Sequence, residues 1–240
     1  MFQINEIMTT PPFSLSKKEK SILFKEALSS LTNHHYQNCT EYKSILDVLK
    51  YNRGISYSCN QFPFLPIRLF KDYKLSSIDD EKIFKTMNSS GTSGQGVSKI
   101  FLDKENAFSQ TKVLTKIVST VIGNKRLPML IIDSKSSIKD RNIFKARVAG
   151  IIGFSIFGKD VTYALDDNME LDINKVNDFV ERHKNKKIII FGFTFIIWKY
   201  FVKHIQDYNL KLQRSDGFVF HGGGWKKLLD EAVDNEQFKE

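Results

Sequence analysis

Cysteine is scarce in this chain, and the residue spacings that indicate a metal site are missing. Only Cys39 and Cys59 occur among 240 residues, and neither has metal-ligand spacing or a cluster of histidines nearby. We interpret both as ordinary free thiols, as expected for a protein of the reducing cytoplasm. The start of the chain lacks the basic and apolar regions of a secretory signal, and no apolar run approaches the roughly 18 residues that span a bilayer. We therefore predict a cytoplasmic protein with no membrane span and no set of protein metal ligands.

The chain also lacks an arginine-rich stripe and a basic tail, although its net charge is +9. The lysine pairs at 17–18, 186–187 and 226–227 are far apart, so they do not form a continuous track along a phosphate backbone. We interpret the charge as a solvated surface that mildly favours anions, and we predict no nucleic-acid partner.

The first part of the sequence has helical patterns followed by an extended segment. Ser16 and Glu19 form a capping-box pattern before apolar residues at helical spacing, which predicts a first helix. Thr40 is the predicted N-cap of a second helix, whose apolar face comprises Tyr42, Ile45, Leu46 and Leu49. Two prolines end this pattern. We predict an N-terminal helical region with an extended connector over residues 1–82.

From residue 83 onwards, strand patterns alternate with helical patterns. The predicted strands are 83–87, 97–102, 129–133, 161–165, 187–193 and 217–220. The predicted helices are one capped by Asp103 that runs to about residue 122, one that passes through residues 146–152, and those over 174–183, 196–208 and 225–239. This alternation predicts an α/β fold, with a parallel or mixed sheet flanked by helices, over residues 83–240. Ligands bind at the carboxyl ends of strands in such sheets, and we expect both glycine-rich loops of the chain to lie there.

One of these loops is rich in hydroxyl groups as well as glycine. It comprises Ser89, Ser90, Gly91, Thr92, Ser93, Gly94 and Gln95. The glycines allow turns that point several backbone N–H groups in one direction, and the hydroxyls add donors, so the loop can wrap a polyphosphate. Residues 91–96 have the G-x-x-x-x-G spacing of a Walker A loop, but Val97 stands where its lysine belongs. The dinucleotide pattern G-x-G-x-x-G is absent, which gives hydride chemistry no support.

The sequence Ser-Ser-Gly-Thr-Ser-Gly over residues 89–94 resembles the phosphate loop of adenylate-forming enzymes. Gly96 and Val97 replace the Pro-Lys of acyl-CoA synthetases, whereas the continuation from Ser98 to Asp103 is similar to the acyl-protein synthetase (LuxE-type) branch. Further segments resemble that branch in the same order: Phe70-Lys71 followed by Leu75-Ser-Ser, then Phe191-Gly-Phe-Thr-Phe195, then His221-Gly-Gly-Gly-Trp-Lys-Lys227. The resemblance extends from about residue 63 to residue 240.

The resemblance implies that the chain is the N-terminal portion of an adenylate-forming enzyme, which uses ATP and Mg²⁺. In this family a carboxylic acid, a fatty acid in this branch, becomes an acyl-adenylate, and the acyl group then passes to a thiol of a protein or of CoA. The resemblance assigns residues 89–95 to the ATP phosphates, and it assigns His221, Gly222, Gly223 and Gly224 to adenine. Near ATP, His221 could also contact phosphate or the acyl carboxylate, and a packed histidine at a strand end is a competing interpretation. Phe191 and Phe193 are candidates for an acyl pocket, although alternating aromatics on a buried strand more often belong to a core.

Two parts of the family's active site are absent from this sequence. These are a Tyr-Gly-x-Thr-Glu-like motif, whose glutamate binds the metal, and a carboxyl-terminal lid that brings a catalytic lysine. We therefore interpret the chain as truncated before them, assign no catalytic residue, and expect weak nucleotide binding without full ligase activity. Two alternatives stay open, an aryl-acid CoA ligase and a catalytically inactive nucleotide-binding module.

Overall fold

A computed structural model describes residues 4–89, 96–138, 146–204 and 217–238. The chain divides into two compact units, the first over Met1–Val121 and the second over Ile122–Glu240. The domain boundary predicted after residue 82 stays a prediction. Among the described residues, no helix combines the length and the apolar character that crossing a lipid bilayer requires.

The first unit contains helices and a two-stranded antiparallel sheet. Its elements are α1 (Ile4–Thr9), α2 (Lys17–Asn38), α3 (Thr40–Val48), α4 (Leu69–Asp72), a 3-10 turn (Asp80–Lys82), β1 (Lys85–Asn88), β2 (Lys99–Leu102) and α5 (Lys104–Ile122).

Local side-chain chemistry determines where two of these helices begin. The Ser16 hydroxyl accepts from the Glu19 N–H and the Glu19 carboxylate accepts from the Ser16 N–H, which confirms the predicted capping box of α2. Asp103 accepts from the Asn106 N–H at 2.7 Å and caps α5, as predicted. The predicted N-cap of α3 is wrong, because Thr40 is already helical and Cys39 occupies the cap without a side-chain bond.

The predicted hydroxyl-rich loop lies between β1 and β2, which form an antiparallel hairpin. Lys85 is paired with Leu102 and Asn88 with Lys99. The expectation that this loop follows a strand of the parallel sheet is therefore wrong. A short connection can join antiparallel neighbours, whereas parallel neighbours need a crossover of a dozen or more residues.

The second unit is a parallel sheet flanked by helices, which confirms the predicted fold class. Its elements are β3 (Leu127–Ser134), a 3-10 turn (Lys135–Ile138), α6 (Ala146–Ser155), β4 (Gly158–Leu165), α7 (Ile173–Arg182), β5 (Ile188–Phe193), α8 (Thr194–Ile197), a π-helical turn (Trp198–Val202), β6 (Gly217–Gly222) and a 3-10 turn (Lys226–Glu231). The strand order is β4-β3-β5-β6.

Both faces of β3, a central strand of this sheet, are covered, which explains why it is a continuous apolar run. On one face, Leu130 and Ile132 belong to a core cluster with residues of α7 and α8. On the other face, Ile131 is in register with Phe191. The ring of Phe191 stacks on the ring of Phe154 of α6, with ring centroids 4.4 Å apart. The helices after β3 and after β4 therefore pack on opposite faces of the sheet.

The end of the described chain differs from its sequence pattern. The helix predicted over 225–239 is wrong, because the 3-10 turn ends at Glu231 and Ala232 has an extended backbone with ψ 133°. The Asp234 carboxylate then accepts from the N–H groups of Glu236 and Gln237, both at 2.9 Å. Such local bonds offer the backbone an alternative to helical hydrogen bonding.

Candidate functional site

The base of the predicted phosphate loop is held closed by two hydrogen bonds. The Ser89 N–H donates to the Ser98 carbonyl, and the Ser98 N–H donates to the Ser89 hydroxyl, both at 3.0 Å. The Ser98 hydroxyl is buried and has no hydrogen-bond partner among the described residues. Ser90, Gly91, Thr92, Ser93, Gly94 and Gln95 lie outside the described residues, so their predicted contact with phosphate stays a prediction.

The second glycine-rich loop follows β6 at the carboxyl edge of the parallel sheet, as predicted. Within the sheet, His221 is paired with Gly192 and Gly222 with Phe193 of β5. The backbone then turns into the left-handed region, with φ of 87° at Gly223 and 61° at Gly224. Residues with a Cβ adopt these angles only at a cost, so the local backbone favours glycine at both positions.

Gly223 also makes a close approach that a larger residue would prevent. A Cβ built on Gly223 would lie 2.6 Å from Cδ1 of the Phe193 ring, whereas Gly222 and Gly224 have open space around them. The three glycines therefore present bare backbone, which we call the glycine platform (Gly222–Gly224). Backbone without side chains is suited to lie against a flat ring such as adenine.

His221 begins this platform and is exposed, but one side of its ring is engaged. Its Nδ1 lies 3.0 Å from the hydroxyl of Thr194, and the same hydroxyl lies 3.1 Å from the Gly222 carbonyl. Phe238 covers part of the imidazole, with ring centroids 4.7 Å apart. The ring of Trp225, which follows the three glycines, packs against the ring of Trp198, with ring centroids 6.0 Å apart. The imidazole is thus positioned by neighbouring groups while its other nitrogen stays accessible.

The two phenylalanines proposed for an acyl pocket have different surroundings. Phe191 is 6% exposed and belongs to the aromatic core with Phe154. Phe193 is partly buried, and its ring lies between Gly150 and Gly223, so that a Cβ at either glycine would meet it within 3.2 Å. Phe193 therefore shapes the underside of the glycine platform, and the acyl-pocket role of both residues stays a prediction.

A polar cluster at the carboxyl end of β3 was not predicted from the sequence. Asp133 is 1% exposed, and its carboxylate accepts from two nitrogens of Arg147, at 2.6 and 2.5 Å. Ser134 donates to Asp167, which follows β4, at 3.1 Å. Burial, and secondarily the Asp133 charge, raises the pKa of Tyr163. The signal in the sequence was a carboxylate directly after four apolar residues, because an acid there must be paired or exposed.

The strand order places the topological switch point of the sheet between the carboxyl ends of β3 and β5. The chain passes from β3 to β4 on one side and then crosses to β5 on the other, with the connecting helices on opposite faces. Open parallel sheets bind ligands at such a switch point. Ser134 ends β3 and Thr194 follows β5, so each of these two strands has a polar residue at this end.

A separate open cleft of about 760 Å³ lies beside β4 and α7, and no predicted site residue lines it. Its charged residues of both signs include Asp166, Lys175 and Arg182. The parts of the chain that the structure describes hold no group of three or more histidine, cysteine or acidic residues that could bind a metal.

Comparison with known proteins points to one family. The model of the family described as "Acyl-protein synthetase, LuxE" matches residues 3–240. A long-chain-fatty-acid–luciferin-component ligase of Vibrio harveyi is 21% identical over 234 residues, which cover 95% of this chain and 60% of that protein. A protein of the same name from Aliivibrio fischeri is 22% identical over 242 residues, which cover 98% of this chain and 61% of that protein. The chain thus spans about 60% of the length of these curated relatives.

Proposed function

Because the chain belongs to the acyl-protein synthetase (LuxE) family, we propose that it serves the ATP-dependent activation of a long-chain fatty acid and its transfer to a protein thiol. The observation that carries this proposal is the family match over residues 3–240. The two curated relatives are named as ligases of a long-chain fatty acid, which supports the substrate class. The cytoplasm supplies ATP and keeps the accepting thiol reduced, so we place the reaction there.

The proposed reaction has two group transfers. A carboxylate oxygen of the acid attacks the α phosphorus of ATP, the bond to the bridging oxygen of the β phosphate breaks, and pyrophosphate leaves. A thiolate then attacks the acyl carbonyl, and AMP leaves as the thioester forms. Both steps need groups that stabilise negative charge on the leaving phosphates.

We assign that stabilisation to the loop over residues 89–95. The backbone N–H groups of residues 90–95 and the hydroxyls of the loop would surround the β and γ phosphates. The Ser89–Ser98 hydrogen bonds described above, which use the Ser89 N–H, support a loop with a fixed base. Mg²⁺ would be bound mainly by the phosphates themselves, as this ion usually is, and would neutralise their charge.

We assign the purine to the glycine platform. The positive φ at Gly223 and Gly224 and the ring of Phe193 beneath Gly223 support a flat backbone surface with His221 at its edge. The platform fits a planar base, because no side chain projects from its three residues. Phe193 would support the platform from below in addition to any contact with the acyl chain.

Binding of ATP to the purified chain, measured by isothermal titration calorimetry with Mg²⁺, tests the first requirement of the proposal. We expect Gly223→Ala to weaken binding, because the new methyl group displaces either the platform or Phe193. Gly123→Ala is the matched control, since Gly123 has a φ of 79° but open space around it. A folded chain that does not bind ATP would contradict the proposal.

Exchange of labelled pyrophosphate into ATP, with and without a long-chain fatty acid, tests the chemistry. Exchange that depends on the acid supports activation by these residues and would overturn the expectation that they lack full ligase activity. ATP binding without exchange agrees with that expectation and with the inactive nucleotide-binding alternative. A second assay with acceptor protein or CoA identifies the acceptor, and formation of product only with CoA would contradict transfer to a protein.

A further inference from the structure

The Thr194 hydroxyl occupies a position in which its hydrogen bonds can be assigned individually. Thr194 is 8% exposed and lies directly after β5. Its oxygen is 3.0 Å from Nδ1 of His221 and 3.1 Å from the carbonyl oxygen of Gly222. Both contacts are within hydrogen-bonding distance, and a hydroxyl has only one hydrogen to donate.

The carbonyl determines the direction of both bonds. A carbonyl oxygen only accepts, so the Thr194 hydrogen must point to Gly222. The Thr194 oxygen then accepts from His221, which requires a hydrogen on Nδ1. In the neutral imidazole the other nitrogen, Nε2, consequently has no hydrogen and is an acceptor.

The acceptor nitrogen is available to a ligand. His221 is exposed, and Nε2 has no hydrogen-bond partner among the described residues. The ring cannot easily turn, because Thr194 holds Nδ1 and Phe238 packs against the ring at 4.7 Å. His221 therefore presents a hydrogen-bond acceptor of fixed position at the start of the glycine platform (Gly222–Gly224).

We propose that Thr194 is a positioning residue that fixes His221 as an acceptor and thereby makes the site select adenine over guanine nucleotides. This inference rests on the proposed binding of a purine at the platform. Adenine carries an amino donor at its 6 position, whereas guanine carries a carbonyl oxygen there. Nε2 can accept a hydrogen bond from the adenine amino group. The guanine oxygen is itself an acceptor, so it cannot pair with Nε2, and this mismatch weakens binding.

Removing the Thr194 hydroxyl releases this constraint. In Thr194→Val the imidazole loses its acceptor at Nδ1 and can move its hydrogen to Nε2, which then becomes a donor. A donor at Nε2 suits the guanine oxygen and not the adenine amino group. Thr194→Ser keeps a hydroxyl and should retain the original arrangement.

Two measurements test the proposal. Nitrogen-15 NMR of histidine-labelled protein without nucleotide reports which ring nitrogen of His221 carries the hydrogen. Titration with ATP and with GTP gives the ratio of their dissociation constants. We expect a hydrogen on Nδ1 and roughly tenfold preference for ATP in the original protein and in Thr194→Ser, from the loss of one hydrogen bond in the mismatched complex. We expect a ratio near one in Thr194→Val.

The control and the possible outcomes separate this inference from the proposed function. Thr162→Val removes a hydroxyl from β4 and should leave the ratio unchanged. Absence of ATP binding would overturn the proposed function and the inference with it. ATP binding with the hydrogen on Nε2, or an unchanged ratio in a folded Thr194→Val, would overturn the inference alone. If Thr194→Val does not fold, the NMR result on the original protein still decides whether the assigned tautomer exists.

Discussion

At the scale of single residues, Gly223 is subject to two separate constraints. Its φ of 87° lies in the left-handed region, and its missing Cβ leaves room for the ring of Phe193. Gly123 has a similar φ of 79° with open space around it. Comparing the two positions therefore separates backbone strain from steric contact.

We expect Gly223→Ala to destabilise the protein more than Gly123→Ala does. The left-handed backbone alone should lower the free energy of unfolding by about 1–2 kcal/mol in both variants. The contact with Phe193 should add about 1–3 kcal/mol in Gly223→Ala only. Urea unfolding of both variants measures the difference, and equal losses would show that Phe193 moves away without penalty.

Asp133 and Arg147 form the second residue-scale feature, a buried carboxylate with a two-point partner. Asp133 is 1% exposed and the Arg147 side chain is 29% exposed. We expect Arg147→Met to lower the free energy of unfolding by about 3 kcal/mol, because it leaves a buried charge unpaired. Lys184→Met, which breaks an ion pair with both side chains 70% exposed, should change it by less than about 1 kcal/mol.

The double variant Asp133→Asn with Arg147→Met distinguishes the charge from the lost packing. A neutral amide at position 133 should restore part of the stability lost in Arg147→Met. Denaturation of the single and double variants by urea measures this, and an unchanged loss in the double variant would assign the effect to packing.

The predictability of individual residues depended on whether their role is local. The glycines of the platform were assigned to adenine from the resemblance, and their residue type is compatible with the positive φ that the structure has at Gly223 and Gly224. Thr194 lies 27 residues from His221 along the chain, and Arg147 lies 14 residues from Asp133. Only the pairing of β5 with β6 and the packing of α6 bring these partners together.

At the scale of elements, the two predicted helix N-caps, Ser16 and Thr40, had different outcomes. The Ser16–Glu19 box is formed, whereas Thr40 lies inside its helix. We expect Ser16→Ala to destabilise the first unit by about 1 kcal/mol, because a backbone donor of α2 loses its acceptor. Thr40→Ala should stay within about 0.5 kcal/mol of the original protein. Thermal unfolding followed by circular dichroism checks both, and a larger effect at Thr40 would contradict the observed helix start.

Element type was predicted better than element boundaries and connections. All four strands of the parallel sheet were predicted, and the signal is strongest in the central strands, whose covered faces require continuous apolar runs such as residues 129–132. The helix over 225–239 was predicted wrongly, since the bonds of Asp234 to its own neighbours compete with the helix there. The position of the hydroxyl-rich loop in an antiparallel hairpin depends on strand pairing, which the local pattern of single strands does not reveal.

At the scale of the whole molecule, stability should depend on the protonation of His35. This side chain is half-buried and its Nδ1 lies 2.7 Å from the Ser77 hydroxyl. Burial, with a smaller contribution from the nearby His34, lowers the pKa of His35 from its ordinary value of 6.5. The unfolded chain therefore binds a proton at a higher pH than the folded chain does.

The sign of the effect follows from this difference in proton binding. As pH falls from about 6.5 towards the lowered pKa, the unfolded state gains protons that the folded state does not bind, and stability decreases. We expect the free energy of unfolding to fall over this interval in the original protein and to fall less in His35→Gln. Urea unfolding at several pH values measures both slopes, with His221→Gln as a control for loss of an exposed histidine. Parallel profiles of the original protein and His35→Gln would contradict the prediction.

The sequence by itself determined the α/β class and the capping box of α2, because these depend on periodicity and on local hydrogen bonds. Only the tertiary structure decided that the hydroxyl-rich loop joins antiparallel strands and that Thr194 contacts His221. It also decided that Phe193 lies beneath Gly223 and that Asp133 is paired with Arg147. These features depend on which strands become neighbours and on how the helices pack against them, and that is set by burying the apolar surfaces of many elements at once.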